Sequence, residues 1–382
     1  MSNESAVAKG LEGVVVAETQ KSKVDGAIGK LQYHGYNIFD LAEHATFEEV
    51  IYLLWYNKLP NKAELEAFKV ELNAQRTLDD EIITRIKGFP KTAHPMAVLR
   101  SVISVLGAFD PEEADTSPAS IMKKSIRLTG VMPTIIAAWE RVRSGVEPIA
   151  PRADLSLAAN FLYMLKGVEP GATEVRALDV YLILLADHGM NASTFSARVT
   201  TATLSDLYSA ITTAIGTLKG PAHGGANEKA MEQFISVDSP DKVEAWFKDA
   251  MTAGKRLMGI GHRVYKVEDP RATILRKWAK ELAVDGEVAR WYEIAYRLEQ
   301  QARTHEYFIE RNLFANVDYY SAIVLYQVGI PVDQFTPLFA MSRIAGWTAH
   351  VMEQWQDNRL IRPRAQYVGP ENVAWEPLEK RS

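Results

Sequence analysis

Capping boxes and apolar stripes of helical period recur along this chain, and almost nothing in it alternates with a period of two. In Thr46-Phe47-Glu48-Glu49, Thr46 is placed to act as an N-cap with Glu49 reaching back to it. Phe47, Val50, Ile51 and Leu54 then share one face, and Leu59-Pro60 stops the run. Asn61 to Glu64 repeats the box ahead of Leu65, Phe68 and Leu72. Asp154 reads as the cap of a stripe formed by Leu155, Ala158, Leu162 and Leu165 that ends near Gly167. Ser239-Pro240 opens a further helix with Val243, Phe247 and Ala250 on one face. Stripes of this width are faces turned to a core. Strand signals are confined to Val14-Val15-Val16 and to Lys30 through Ile38, punctuated by Gly29 and Gly35. The expectation is a mainly α protein of many packed helices with a few short N-terminal strands. No internal repeat, low-complexity tract or Pro/Gly/Ser linker divides the chain.

A length of 382 residues allows two or three domains and a large core. Hydrophobic content of 47% and charged content of 24% are those of a soluble globular protein. A net charge of -5 argues against a general nucleic-acid binder, while leaving room for a local basic pocket. The absence of cysteine removes disulfides, thiolate metal sites and cysteine nucleophiles, and is compatible with a reducing cytoplasm. Met1 to Gly10 has no apolar core of a signal peptide, and no run approaches a membrane span, so a cytoplasmic location without membrane contact is expected. Asn191-Ala192-Ser193 fits the glycosylation pattern, which is read as coincidence where no secretion is expected.

Three short segments each deliver a polar group on an apolar or glycine-rich frame. They are Gly220-Pro221-Ala222-His223-Gly224-Gly225-Ala226-Asn227, Gly259-Ile260-Gly261-His262-Arg263-Val264-Tyr265-Lys266 and Asn316-Val317-Asp318. Two imidazoles and a carboxylate make an acid–base set, and the glycines let a ligand or another backbone come close. Each element has a plainer reading beside the functional one. His223 is a surface turn residue or an acid–base group. The basic turn around His262, with Lys255, Arg256, Arg263 and Lys266, is solvated or holds a phosphate-bearing cofactor. Asp318 is a helix N-cap or a base in an apolar pocket, where desolvation would raise its pKa. His188, after Ala186-Asp187, bonds free helix carbonyls or touches a ligand. His34, His44, His94, His305 and His350 read as packing or surface residues. Asp269-Pro270-Arg271, Ser342-Arg343 and Arg362-Pro363-Arg364 supply guanidinium groups, which bind carboxylates bidentately. Together these features suggest carbon chemistry on a small polyanionic acid. His188, His223 and His262 with Asp318 would be a legal zinc set, but no clustered ligand spacing accompanies them and no metal is expected. No G-x-S-x-G serine site occurs.

At these residues the chain resembles the citrate synthase family along nearly its whole length. Tyr33 to Pro60, Lys219 to Asn227, Met258 to Arg271, Asn316 to Ser321, Phe335 to Gly346 and Asp357 to Gly369 look like family segments in family order. His34 and Asn37 depart from the pattern, where many members have arginine and aspartate. The resemblance implies a nearly all-α fold, with a large domain from residues 1–219 and 322–382 and a small one from 220–321. It implies a homodimer of the compact type and a cleft that closes on substrate. It also implies an acyltransferase of the tricarboxylic acid cycle, condensing acetyl-CoA with oxaloacetate and hydrolysing the product to citrate and CoA. In the roles so implied, Asp318 takes the methyl proton and His223 donates to the enolate oxygen. His262 polarises the oxaloacetate carbonyl. His188, Arg271, Arg343 and Arg362 hold that substrate, Arg362 coming from the neighbouring subunit. Backbone at Arg256, Leu257, Met258, Gly259, Ile260 and Gly261 packs on the CoA adenine. No permanently bound cofactor is implied, the coenzyme A thioester being a co-substrate. 2-Methylcitrate synthase, which uses propionyl-CoA, is the nearest alternative, separated by one methylene worth ~1–3 kcal/mol. A CoA-binding regulatory protein on an inactive fold would not need both histidines and the aspartate together.

Overall fold

The computed structural model describes residues 7–381. Near the N-terminus β1 (Ser22–Asp25), β2 (Lys30–Tyr33) and β3 (Tyr36–Asn37) form one antiparallel sheet in that order, with Ser22 opposite Tyr33. The expected strand from Lys30 to Ile38 is therefore a hairpin, because His34 and Gly35 take positive φ and turn the chain. Val14-Val15-Val16 is not a strand: it is exposed and pairs with no neighbour. β-Branched residues favour strands only where a partner edge meets them.

Seventeen α-helices follow among the described residues. α1 (Ile38–His44) is capped by the Asn37 side chain. α2 (Phe47–Tyr56) and α3 (Lys62–Ala74) begin at the two expected capping boxes, both formed in full. α4 (Asp80–Lys87), α5 (Pro95–Ala108) and α6 (Pro118–Arg143) come next. α7 (Leu157–Lys166) is capped by Ser156 rather than Asp154, whose carboxylate is held by Arg152. It ends, as expected, at Gly167 in the left-handed conformation. α8 (Ala172–Leu185), α9 (Ala192–Ala202) and α10 (Leu207–Leu218) lead to α11 (Ala226–Val237) and α12 (Val243–Thr252). α13 (Pro270–Glu281), α14 (Gly286–Thr304), α15 (Glu306–Glu310), α16 (Val317–Gln327) and α17 (Phe335–Gln356) complete the set. No helix among the described residues is long and apolar enough to cross a membrane.

α17 is buried along nearly all of its first five turns, and it packs on α2, α6, α8, α9 and α10. A helix apolar all round belongs at the centre of a large protein. A second group, α11, α13 and α14, packs around α16. α16 runs unbroken past position 321, so the expected domain boundary falls within a continuous helix. Inside the second group the Glu299 carboxylate accepts from Arg276 at 2.5 Å, Arg303 at 2.8 Å and the Tyr320 hydroxyl at 2.5 Å. Glu268 also accepts from both arginines, so loss of Glu299 leaves the buried Tyr320 hydroxyl as the group without its acceptor. Glu299→Ala is expected to cost about 1–3 kcal/mol, read as a lowered urea midpoint. After Gln356 the chain forms no further α-helix or strand among the described residues, and Val368 is 88% and Trp375 78% exposed.

Candidate active site

α8 stops at Leu185, and α17 holds the residues that follow. Gly346 N donates to Ala186 O at 3.1 Å, and a Cβ on Gly346 would lie 2.4 Å from that oxygen. Arg343 Nε donates to Leu185 O at 2.6 Å. Asp187 is fully buried and accepts from Ser22 at 2.5 Å, with His350 Nε2 at 3.2 Å on the same oxygen. His350, read from sequence as a packing or surface residue, is a buried partner of this carboxylate. Burial alone would raise the Asp187 carboxyl, but His350 and Arg343 outweigh it and hold the group below the usual range. His188 follows, its Nε2 3.1 Å from the Tyr265 hydroxyl and its ring centroid 5.6 Å from that of His262. Burial, then Arg271, His262 and Arg343, press its pKa well below the ordinary value. His188 is neutral at physiological pH.

His223 sits in the turn between α10 and α11. Gly224 N donates to Leu218 O, and a Cβ on Gly224 would lie 2.5 Å from that oxygen, so the turn requires glycine there. Ser193 N donates to His223 Nε2 at 3.3 Å, and Ser193 Oγ lies 2.8 Å from the same nitrogen. A backbone N–H can only donate, so Nε2 is bare and the imidazole hydrogen is on Nδ1. Trp347 Nε1 and Asn191 Oδ1 fix the Ser193 hydroxyl from two further sides. Burial, aided by Arg343, lowers the His223 pKa to about 4.

The second and third segments are stitched together. Asn316 N donates to Gly259 O at 2.8 Å and Asn316 Nδ2 to Gly261 O at 2.7 Å. Ile260 forms a β-bridge with Ala315. Gly259 has φ +75°, and a Cβ there would meet Tyr319 Cα at 2.8 Å, so only glycine fits. His262 Nδ1 accepts from Val264 N at 3.0 Å and Tyr265 N at 3.1 Å, which puts the hydrogen on Nε2. Its pKa is lowered to about 4 by burial and then by Arg271.

Asn316, not Asp318, caps α16, so the plainer reading of Asp318 fails. The Asp318 Oδ1 atom is enclosed and has no hydrogen-bond partner among the described residues. Burial pushes this carboxyl up to about 7 against the pull of Arg271 and Arg343. Arg271 is buried and doubly bonded to Asp269 at 3.0 and 2.8 Å, and Asp269 also accepts from Val317 N. Arg343 is buried with Nη1 unpartnered, and desolvation lowers it to about 10. Its guanidinium lies 4.8 Å over the Phe339 ring, whose centroid is 6.3 Å from that of the His223 ring. The Tyr181 hydroxyl is also buried without a partner, and it senses both Asp318 and Arg343.

The structure thus gathers His188, His262 and Arg271 around Tyr265, and connects Asp318 to them through Asp269. His223 joins through Phe339 and Arg343. A groove of about 740 Å³ opens beside His262, lined by Arg256, Leu257, Ile260 and Gly261 and flanked by Arg263 and Arg311. Met258 and Gly259 do not line it; their backbones are spent on Gln233 and Asn316. Arg362 is not gathered: it lies exposed on the segment after α17 and makes no ion pair among the described residues. Sequence reasoning missed Ser193 and Tyr181. Ser193 belongs to the tripeptide that fits a glycosylation pattern; here Asn191 caps α9 and Ser193 sets the His223 tautomer. Nothing in the apolar run around Tyr181 marks it.

The family model described as citrate synthase, C-terminal domain, matches residues 10–364. The citrate synthase of Haloferax volcanii is 48% identical over 379 residues, covering 98% of each chain. The 2-methylcitrate synthase 1 of Corynebacterium glutamicum is 41% identical and covers 100% of each. A solved ternary complex of citrate synthase from Thermoplasma acidophilum with carboxymethyl coenzyme A and oxaloacetate superposes with a TM-score of 0.93 at 37% identity, covering 98% of this chain and 99% of that one.

Proposed function

The chain belongs to the citrate synthase family, and from that premise we propose that its cleft condenses acetyl-CoA with oxaloacetate and hydrolyses the product to citrate and CoA. One observation carries the reading. Two neutral imidazoles have their hydrogens on His223 Nδ1 and His262 Nε2, and the same site holds a carboxylate with an unpartnered oxygen. A thioester methyl is a weak carbon acid, so a base needs a donor at the developing oxyanion. Asp318 takes the proton and His223 Nδ1–H stabilises the enolate oxygen, a placement worth on the order of 10²–10³ in rate. His262 Nε2–H polarises the ketone of oxaloacetate and protonates the alkoxide as the carbon–carbon bond forms. Hydrolysis of the thioester then releases CoA.

The Arg343 Nη1 left unpartnered, Arg271 beside Tyr265, and His188 serve the substrate carboxylates and carbonyl. The basic groove at Arg256 to Gly261 takes the coenzyme. Residues 220–321 act as a small domain that closes on the remainder and excludes water during condensation. The exposed apolar side chains after Gln356 support a homodimer in which that segment lies on the partner subunit and brings Arg362 to its cleft. Release of CoA thiol, followed with oxaloacetate and either acyl-CoA, tests the reading. We expect kcat/KM with acetyl-CoA to exceed that with propionyl-CoA. A reversed preference would assign 2-methylcitrate synthesis, and no thiol release from either would overturn the proposal.

A further inference from the structure

The β1–β2 hairpin touches the segments that carry His188 and His262 and has no part in the chemistry above. Ser22 and Tyr33 are cross-strand partners, so their side chains leave the sheet on one face. That face meets residues 187–189. The Ser22 hydroxyl donates to Asp187 Oδ2 at 2.5 Å and accepts from Gly189 N at 2.8 Å, bracketing His188. The Tyr33 hydroxyl accepts from Asp187 N at 3.3 Å and bonds Asp187 O at 3.0 Å. The turn of the same hairpin meets the loop of His262. Lys266 N donates to Gly26 O at 2.9 Å. A Cβ on Gly26 would lie 2.1 Å from Val264 O, and one on Gly29 would lie 2.9 Å from Glu268 O. Val264 N is itself a donor to His262 Nδ1, so a displaced Val264 moves the imidazole.

We propose that this hairpin sets the spacing of the two substrate-facing histidines in the conformation described, with Ser22 a positioning residue for His188 and Gly26 a positioning residue for His262. What the two imidazoles then do rests on the function proposed above; the placement does not. Gly26 lies outside the positive-φ region, so only the lack of space opposes a side chain there.

The test uses the full-length enzyme. Ser22→Ala should raise KM for oxaloacetate about threefold to tenfold, the range of one lost hydrogen bond, with KM for acetyl-CoA unchanged. Ser22→Thr, which keeps the hydroxyl, should restore it. Gly26→Ala should instead lower kcat, by up to about 10²-fold, as small misplacements of a reacting group do. Gly286→Ala, where a Cβ meets nothing within 4 Å, is the control for glycine replacement and should keep wild-type rates. Ser22→Cys replaces Ser22→Ala if the latter is unstable. Nitrogen-15 spectra of the imidazoles, assigned through His188→Gln and His262→Gln, read the geometry without turnover. Ser22→Ala should move the His188 signals and Gly26→Ala those of His262. A folded Ser22→Ala with wild-type KM and unmoved His188 signals overturns the inference. So does a Gly26→Ala whose His262 signals stay in place. Failure of wild-type turnover, with the spectral shifts intact, would count against the proposed reaction alone.

Discussion

Asp318→Asn is expected to lower kcat by at least about 10²-fold, the minimum for loss of a placed base, while oxaloacetate still binds. Asparagine keeps the shape and the backbone hydrogen bond from Asp318 N to Asn316, so the cap of α16 survives. What disappears is the proton acceptor. A variant retaining more than about a tenth of wild-type turnover would remove Asp318 from the mechanism. The carboxyl titrates at about 7, and only its ionised form abstracts a proton. Wild-type kcat/KM should therefore rise with pH and level off above about 7. His223 and His262, both lowered to about 4, stay neutral across that window and add no limb of their own. The residual activity of Asp318→Asn should lack this rise. Stability runs in the opposite direction. The folded pKa lies above the unfolded one, so the folded state holds the extra proton between about 4 and 7. Stability from this group is full below that window and falls as pH climbs through it. Asp318→Asn should melt higher than wild type at pH 8 and no higher at pH 4, as followed by differential scanning calorimetry.

Two nearly inactive proteins should regain activity when mixed, if Arg343 acts within its own chain and Arg362 on the partner's cleft. Arg343→Ala and Arg362→Ala homodimers should each lose on the order of 10²-fold in kcat/KM, because truncating one side of a desolvated charge pair strands the other. Unfolding and reassembling the two together gives mixed dimers. The cleft built on the Arg362→Ala chain keeps its own Arg343 and receives Arg362 from its partner. That cleft is whole, and the other lacks both groups. Random reassembly from equal amounts should return about a quarter of the wild-type clefts. If both arginines served one chain, every cleft in the mixture would still miss one. Mixed dimers confirmed by mass spectrometry without recovered activity would sink the shared cleft. The exposure of Arg362, against the complete burial of Arg343, is the asymmetry that motivates the experiment.

Local chemistry was the legible part of this chain. The Thr46 and Asn61 boxes formed because their hydrogen bonds close within four residues. The Gly167 stop has the same origin. The Asp154 cap failed because Arg152 offers its carboxylate a charged partner, leaving Ser156 to cap the helix. β1 was not foreseen, since Ser22–Asp25 is too short and mixed to signal a strand and owes its place to β2 and Asp187. The segments of His223 and His262 stood out through their glycines, and that of Asp318 through a lone carboxylate on an apolar frame. The atoms that set their protonation did not: Ser193 for His223 lies thirty residues away, and the backbone of Val264 and Tyr265 for His262 carries no side-chain signature. Tautomers are decided by folded geometry, which spacing along a chain does not encode.

The Asn316 clasp has a consequence for how much the cleft can wander. His223, His262 and Asp318 define three pairwise distances. Because Asn316 bonds the loop of His262 at Gly259 and Gly261 while capping the helix of Asp318, one of the three is frozen. The other two run from His223, which is anchored to Ser193 and Leu218 instead. Of the three distances, two are then left to vary. Whatever links His223 to the clasped pair acts on both of those distances at once.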